Sequence, residues 1–181
     1  CPECTELHVT GHSLGGAVAT IAAAELQNLT KLDVKLTTFG SPRVGKSLYS
    51  CLTNIINVLT LKNTGNQAFS QFIARELEGS SRVVSQFDLL GDNLPMSIGP
   101  REDIVTHVPP LSLGFYHIPI EFWQHNGNLT KCDSSGEDPT CSYSVSFLSF
   151  ADHLTYMNYY LWAGFPDCAG VFEYEATIVQ R

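Results

Sequence analysis

Residues 8–19 read HVTGHSLGGAVA, and within them Gly11-x-Ser13-x-Gly15 brackets a serine. A serine hydroxyl is a poor nucleophile at neutral pH. It needs a base within hydrogen-bond reach and donors for the oxyanion that forms when it attacks an acyl carbon. Glu6–Val9 (ELHV) carries strand-forming residues, and Ala17–Leu26 (AVATIAAAEL) is Ala-rich and apolar, as suits a buried helix. A tight turn between strand and helix forces its serine into a strained conformation, with the oxygen clear of the sheet. Gly11 and Gly15 are expected to be required, because a side chain at either would strike the neighbouring strand or helix. The helix N-terminus faces the reaction centre and favours developing negative charge. Ser13 is the expected nucleophile, and the Leu14 backbone N–H the expected oxyanion donor.

The base must come from six histidines. If the elbow belongs to an α/β-hydrolase, the order is Ser, Asp, His, which leaves His107, His117, His125 and His153. His8 lies in the incoming strand, and His12, inside the elbow, is expected to point away from the nucleophile. His107 and His117 flank a Pro-Pro loop, His125 follows a Trp in a polar loop, and His153 stands in FADHLTYM. Order alone leaves all four open.

These residues need a scaffold. Val34–Gly45 (VKLTTFGSPRVG) reads as a second strand ending in a Gly-Ser-Pro loop. Strand, helix, strand predicts a right-handed crossover and parallel pairing. Phe69–Leu77 reads as an amphipathic helix, Ser81–Phe87 (SRVVSQF) as a third strand, and Phe147–Trp162 has helical character. A length of 181 residues is enough for one domain with a core, and 44% apolar against 15% charged residues argues against disorder. A net charge of −8 argues against nucleic acid or an anionic membrane as partner, while leaving neutral lipids and small esters open. No apolar run is long enough to span a bilayer. No His, Cys and Asp cluster has ligand spacing, so neither metal nor organic cofactor is expected. Six cysteines and two sequons, at Asn28 and Asn128, favour an oxidising compartment and hence a secreted, extracellular glycoprotein.

Five collinear segments, VTGHSLGGA, FGSPRVG, REDIVTHVPP, GFYHIPIEFW and DHLTYM, together resemble the fungal-type class 3 lipases, a family that also includes feruloyl esterases. The resemblance implies an α/β-hydrolase fold and a carboxylic ester hydrolase, with triacylglycerol as first substrate and a lipid–water interface as a place of action. It also implies that Asp103 orients the base and that His153 is the base. Asp152, beside His153, is the weaker orienter because sequence neighbours point apart. Asp88 and Asp92 read as solvated loop residues, and His117 and Trp123 as structural. Cys132 and Cys141 resemble a family disulfide that holds the segment carrying His153. Cys168 resembles a C-terminal cysteine whose partner is missing here, so it is expected to be unpaired. Cys1 and Cys4 could pair as a C-x-x-C.

The sequence also departs from the family. A long N-terminal portion, with the second oxyanion donor and a lid, has no counterpart before Cys1. Residues 1–181 are therefore expected to be the C-terminal portion of a single, N-terminally truncated class 3 lipase domain. Ser13 and Asp103 are 90 positions apart, further than the family pattern, whereas Asp103 and His153 are separated by 50, close to it. Lys46–Thr64 reads as inserted, either a translated intron or a surface insertion, and Asp88–Pro100 as a second surplus. The alternative from another class is a catalytically silent fragment or binding remnant.

Overall fold

The structure is a computed structural model, and it describes residues 3–44, 66–77, 81–85, 101–125, 128–157, 159–160 and 178–180. In chain order its elements are β1 (Glu6–His12), α1 (Leu14–Leu29), β2 (Asp33–Phe39), α2 (Asn66–Glu76), β3 (Ser81–Ser85) and β4 (Arg101–Asp103). They continue with β5 (Glu121–His125), β6 (Asn128–Lys131), β7 (Phe147–Ser149), α3 (Phe150–His153), β8 (Thr155–Tyr156), β9 (Tyr159–Tyr160) and β10 (Ile178–Gln180).

Alternation of apolar residues builds the first two strands. Val34, Leu36 and Thr38 of β2 are buried on one face, and Leu7 and Val9 of β1 pack against the same core. The two strands run parallel, from Glu6 opposite Asp33 to His12 opposite Phe39. Between them α1 lays small side chains on the sheet: Gly16, Ala17, Ala19, Thr20, Ala23 and Ala24 are buried. Short side chains let the helix axis approach the strands closely. The Gln27 side chain accepts a hydrogen bond from the Val34 N–H (3.0 Å), tying the last turn of α1 to the start of β2.

The sheet order is β1-β2-β3-β5-β6-β10. β1, β2, β3 and β5 are parallel, β5 and β6 form an antiparallel pair, and β10 is parallel to β6. β4 does not join this sheet. It pairs in parallel with β7, in a register that sets Asp103 beside Ser149. The expected elements at the front of the chain are present, and α2 and β3 overlap the expected helix and third strand.

Two expectations are corrected. Phe147–Trp162 is not a helix: its described residues form β7, a single helical turn α3, and the β8–β9 hairpin. Aromatic and β-branched residues at 155, 156, 159 and 160 suit paired strands, and pairing with β4 claims residues 147–149. His125 is not in a polar loop. It ends β5, its ring stacked on Trp123 with centroids 4.0 Å apart. The segment Lys46–Thr64, Asp88, Asp92, Asp88–Pro100 and Cys168 lie outside the described residues.

Candidate active site

Ser13 sits between β1 and α1 with φ 57° and ψ −134°, a left-handed backbone that a non-glycine residue adopts only under strain. Its N–H donates to the carbonyl of Phe39 at the end of β2 (3.0 Å), which anchors the turn to the sheet. A Cβ on Gly11 would lie 2.2 Å from the Gly15 carbonyl oxygen, so the strand can approach the helix only through glycine. The expectation for Gly15 is overturned. A Cβ there would meet nothing within 4 Å, because position 15 faces outward from the described residues. The second tight position is Gly16, where a Cβ would lie 2.8 Å from that of Ser41. Leu14 heads the helix, where a backbone N–H has no carbonyl four residues earlier in the helix to bond.

Asp103 and His153 arrive from far along the chain. The β4–β7 pairing places Asp103 opposite Ser149, whose Oγ caps α3 by accepting from the Asp152 N–H (3.3 Å). One helical turn later, His153 faces the serine. Its Nδ1 lies 3.0 and 2.9 Å from the two Asp103 carboxylate oxygens, and its Nε2 2.8 Å from Ser13 Oγ. Nδ1–H donating to the carboxylate leaves Nε2 unprotonated toward the serine hydroxyl. The Nδ1 partner is thus Asp103 and not the neighbouring Asp152. Asp103 also accepts from the Val105 N–H (2.7 Å) and the Tyr156 hydroxyl, and it is fully buried. Three donors, the His153 Nδ1–H, the Val105 N–H and the Tyr156 hydroxyl, hold this one carboxylate in place.

Two of these neighbours carry no signal in spacing. Tyr156 belongs to the quoted DHLTYM segment, but only the turn at Leu154, between α3 and β8, brings its hydroxyl to Asp103. Gly40, in FGSPRVG, has φ 55°, and a Cβ there would lie 2.6 Å from Asp103 Oδ2 and 3.1 Å from His153 Nδ1. His12 is the third omission. It does not contact Ser13 Oγ, but its ring lies against His153, with centroids 4.6 Å apart.

The other histidines are engaged elsewhere. His117 is buried and its Nε2 donates to the Thr106 carbonyl (2.7 Å); burial, then the Arg82 and Arg43 guanidinium groups, push its pKa well below the usual 6.5. His107 contacts the Asp103 main-chain oxygen and Thr106 Oγ1, both at 3.2 Å, and burial is the chief cause of its lowered pKa.

Charged groups buried beside the site form the frame of its loops. Arg43 makes two bonds to Glu137 (2.8 and 2.7 Å) and donates to the carbonyls of His107 and Pro109 (2.8 and 3.2 Å). Arg82 pairs with Glu121 and donates to the Gly136 carbonyl (2.7 Å). Glu102, next to Asp103, is fully buried; desolvation and the nearby Glu121 raise its pKa well above the carboxylate norm, against the pull of Arg82. Cys132 and Cys141 form a disulfide with Cα atoms 6.1 Å apart, packed with Val84, Trp123 and Val145. Glu121, Cys132 and Cys141 lie close enough to hold a metal ion, but the disulfide leaves no thiolate to bind one. Cys4 is also disulfide-bonded. Asn28 and Asn128 are both exposed. No helix among the described residues is long and apolar enough to cross a membrane.

A mostly parallel sheet with its serine on the turn after β1, met by a histidine and an aspartate from later segments, is an α/β-hydrolase fold. Among solved structures the architecture matches a mutant form of MDLA from Penicillium cyclopium (TM-score 0.61, 25% identity, 88% of this chain and 49% of that one). A fungal lipase structure is similar at a TM-score of 0.57, with 23% identity over 86% of this chain and 47% of that one. The model of the family Lipase (class 3) matches residues 2–113. The chain is 32% identical over 157 residues to a lipase of Rhizopus niveus, covering 83% of this chain and 31% of the relative. It is 33% identical over 133 residues to secreted mono- and diacylglycerol lipase 1 of Fusarium solani, covering 74% of this chain and 29% of the relative. The chain belongs to the class 3 lipase family. It spans about a third of the length of the curated relatives it matches.

Proposed function

We propose that the protein is a lipase-type carboxylic ester hydrolase, with Ser13 as nucleophile, His153 as base and Asp103 as orienter. The observation that carries this reading is the continuous line from Asp103 through His153 to Ser13 Oγ, with contacts of 2.9 and 2.8 Å. In it, His153 Nε2 takes the Ser13 hydroxyl proton as the oxygen attacks the ester carbon. The Leu14 N–H donates to the oxyanion, and Asp103 stabilises the imidazolium. His153 then returns the proton to the leaving alcohol. Water, activated by the same nitrogen, hydrolyses the acyl-serine and regenerates the hydroxyl.

The substrate is proposed to be a glycerol ester of fatty acids, met at a lipid–water interface. Leu14 and Phe150 are exposed beside Ser13 and His153, and they give the reacting pair an apolar rim suited to an acyl chain. The names of the Fusarium and Penicillium relatives, secreted mono- and diacylglycerol lipases, favour acylglycerols over feruloyl esters and an extracellular setting. The disulfide and the exposed Asn28 and Asn128 fit that setting, and both asparagines are proposed glycan sites.

Ser13→Ala tests the chemistry. Hydrolysis of a short-chain ester is expected to fall by about 10⁴-fold or more, with little further loss on adding His153→Ala. Turnover by the Ser13→Ala protein near the unmodified rate refutes the nucleophile. Acylglycerols should be cleaved faster than methyl ferulate; the reverse order moves the substrate to aromatic esters.

A further inference from the structure

His12 precedes the nucleophile and has no part in the proton relay, yet its contacts converge on one residue. Its Nε2–H donates to the main-chain carbonyl of His153 (2.8 Å). Its ring lies against the His153 ring, with centroids 4.6 Å apart and planes at 29°. The Tyr156 ring, whose hydroxyl bonds Asp103, meets His12 edge-on at 5.5 Å and 70°. The elbow thus reaches the base twice: through Ser13 at the edge of the imidazole, and through His12 at its face and backbone.

These contacts matter because α3, which carries His153, is one turn long. So short a helix provides little rigidity of its own. The hydrogen bonds from Nδ1 to Asp103 and from Ser13 to Nε2 both act at the edge of the imidazole. Together they leave rotation of the ring about the line through its two nitrogens least restrained, and the Ser13 bond is given up when the proton moves. A stacked ring with a fixed backbone partner supplies the missing restraint.

His12 is also suited to this place by charge. Its hydrogen bond to a carbonyl requires a proton on Nε2. Burial is the largest cause of its lowered pKa, partly countered by that carbonyl and by Asp103, while His153 lowers it further. A lowered pKa favours the neutral ring, which can lie against the imidazolium of His153 without like-charge repulsion.

We infer that His12 is a positioning residue that holds the His153 ring in the plane shared by Asp103 and Ser13, by a main-chain hydrogen bond and a ring stack. The inference rests on the hydrolase reading above.

Three variants of the full chain separate the two contacts. His12→Phe keeps a ring and loses the donor, His12→Gln keeps a donor and loses the ring, and His12→Ala loses both. With a soluble short-chain ester, kcat per folded molecule should fall about tenfold in the first two and about 100-fold in the third, with KM within about twofold. The rate at which an alkyl phosphonate labels Ser13 should fall in the same order. The His153 Nδ1 proton resonance, read by NMR without turnover, should shift or broaden in His12→Ala. Unchanged kcat and an unchanged resonance in folded His12→Ala overturn the inference. So does a loss confined to KM or to the folded fraction. If His12→Ala does not fold, the Phe and Gln variants carry the test, and wild-type kcat in both overturns it. Failure of the unmodified protein to react with the phosphonate refutes the hydrolase reading, and the NMR readout still decides the role of His12.

Discussion

In the elbow, Ser13 is held by what is next to it. The glycine at 11, the helix that begins at Leu14 and the Phe39 carbonyl on the adjoining strand define its position through backbone alone. The arm that carries His153 works differently. Asp103 and His153 are 50 residues apart, and side chains join them: Tyr156 on the carboxylate, Ser149 capping α3, and the imidazole itself. The main-chain contribution is the β4–β7 pairing and the Val105 N–H. A backbone site fails when a side chain is added, because there is no room. A side-chain site fails by degrees when a hydrogen bond is removed. The two halves of one candidate site should therefore respond to opposite kinds of substitution.

The largest effect should come from adding one carbon to the elbow. Gly11→Ala places a Cβ 2.2 Å from a carbonyl oxygen, and should cost about 3 kcal/mol or more, or prevent folding. Gly15→Ala, four residues on, meets open space and should change stability by less than about 1 kcal/mol, in the stabilising direction if helix propensity dominates. Thermal melts of the two variants compare them directly, and equal losses would break the backbone account of the elbow.

The next effect belongs to the arm that carries His153. Replacing Cys132 and Cys141 by serine opens a loop of nine-residue separation, and should lower stability by about 2–3 kcal/mol. Chemical denaturation under non-reducing conditions measures it. If the disulfide frames the arm, kcat falls in the variant while the labelling of Ser13 by a small phosphonate remains detectable.

Tyr156→Phe removes one hydrogen bond to the Asp103 carboxylate and no ring contact. We expect kcat/KM to fall about tenfold, with a melting temperature close to that of the unmodified protein. A loss in melting temperature with unchanged kcat/KM would assign Tyr156 to packing instead.

Glu102→Gln should have the smallest effect, and on stability alone. The folded-state pKa of Glu102 is raised, so the unfolded chain releases this proton at lower pH than the folded one. Its stabilising contribution is therefore full on the acid side, and lost as pH rises from the ordinary carboxyl value through the raised one. The melting-temperature difference, Glu102→Gln minus unmodified, should grow more positive as pH rises above the ordinary carboxylate range. His117 acts in the opposite direction. Its pKa is lowered, so its contribution is present above about 6.5 and lost as pH falls. A difference that shrinks with rising pH would contradict the raised pKa of the buried Glu102.

The elbow was legible in the sequence because its cause is local. Strand-forming residues, a Gly-x-Ser-x-Gly turn and an Ala-rich run follow one another within 21 residues, and each prefers the state it adopts. The same local logic reached α2 and β3. It misplaced the need for a second glycine, assigning it to Gly15 instead of Gly16, because that need depends on where Ser41 packs. Order alone left four histidines open, and it was the family resemblance, not spacing, that singled out His153 and Asp103. Phe147–Trp162 reads as helical because aromatic spacing can fit a helix, but pairing with β4 claims 147–149 and the hairpin claims 155–156 and 159–160. The roles of Tyr156, Gly40 and His12 appear only in three dimensions. Each acts through a contact with a residue more than 50 positions away, and no local propensity encodes which distant side chain a strand or turn will face.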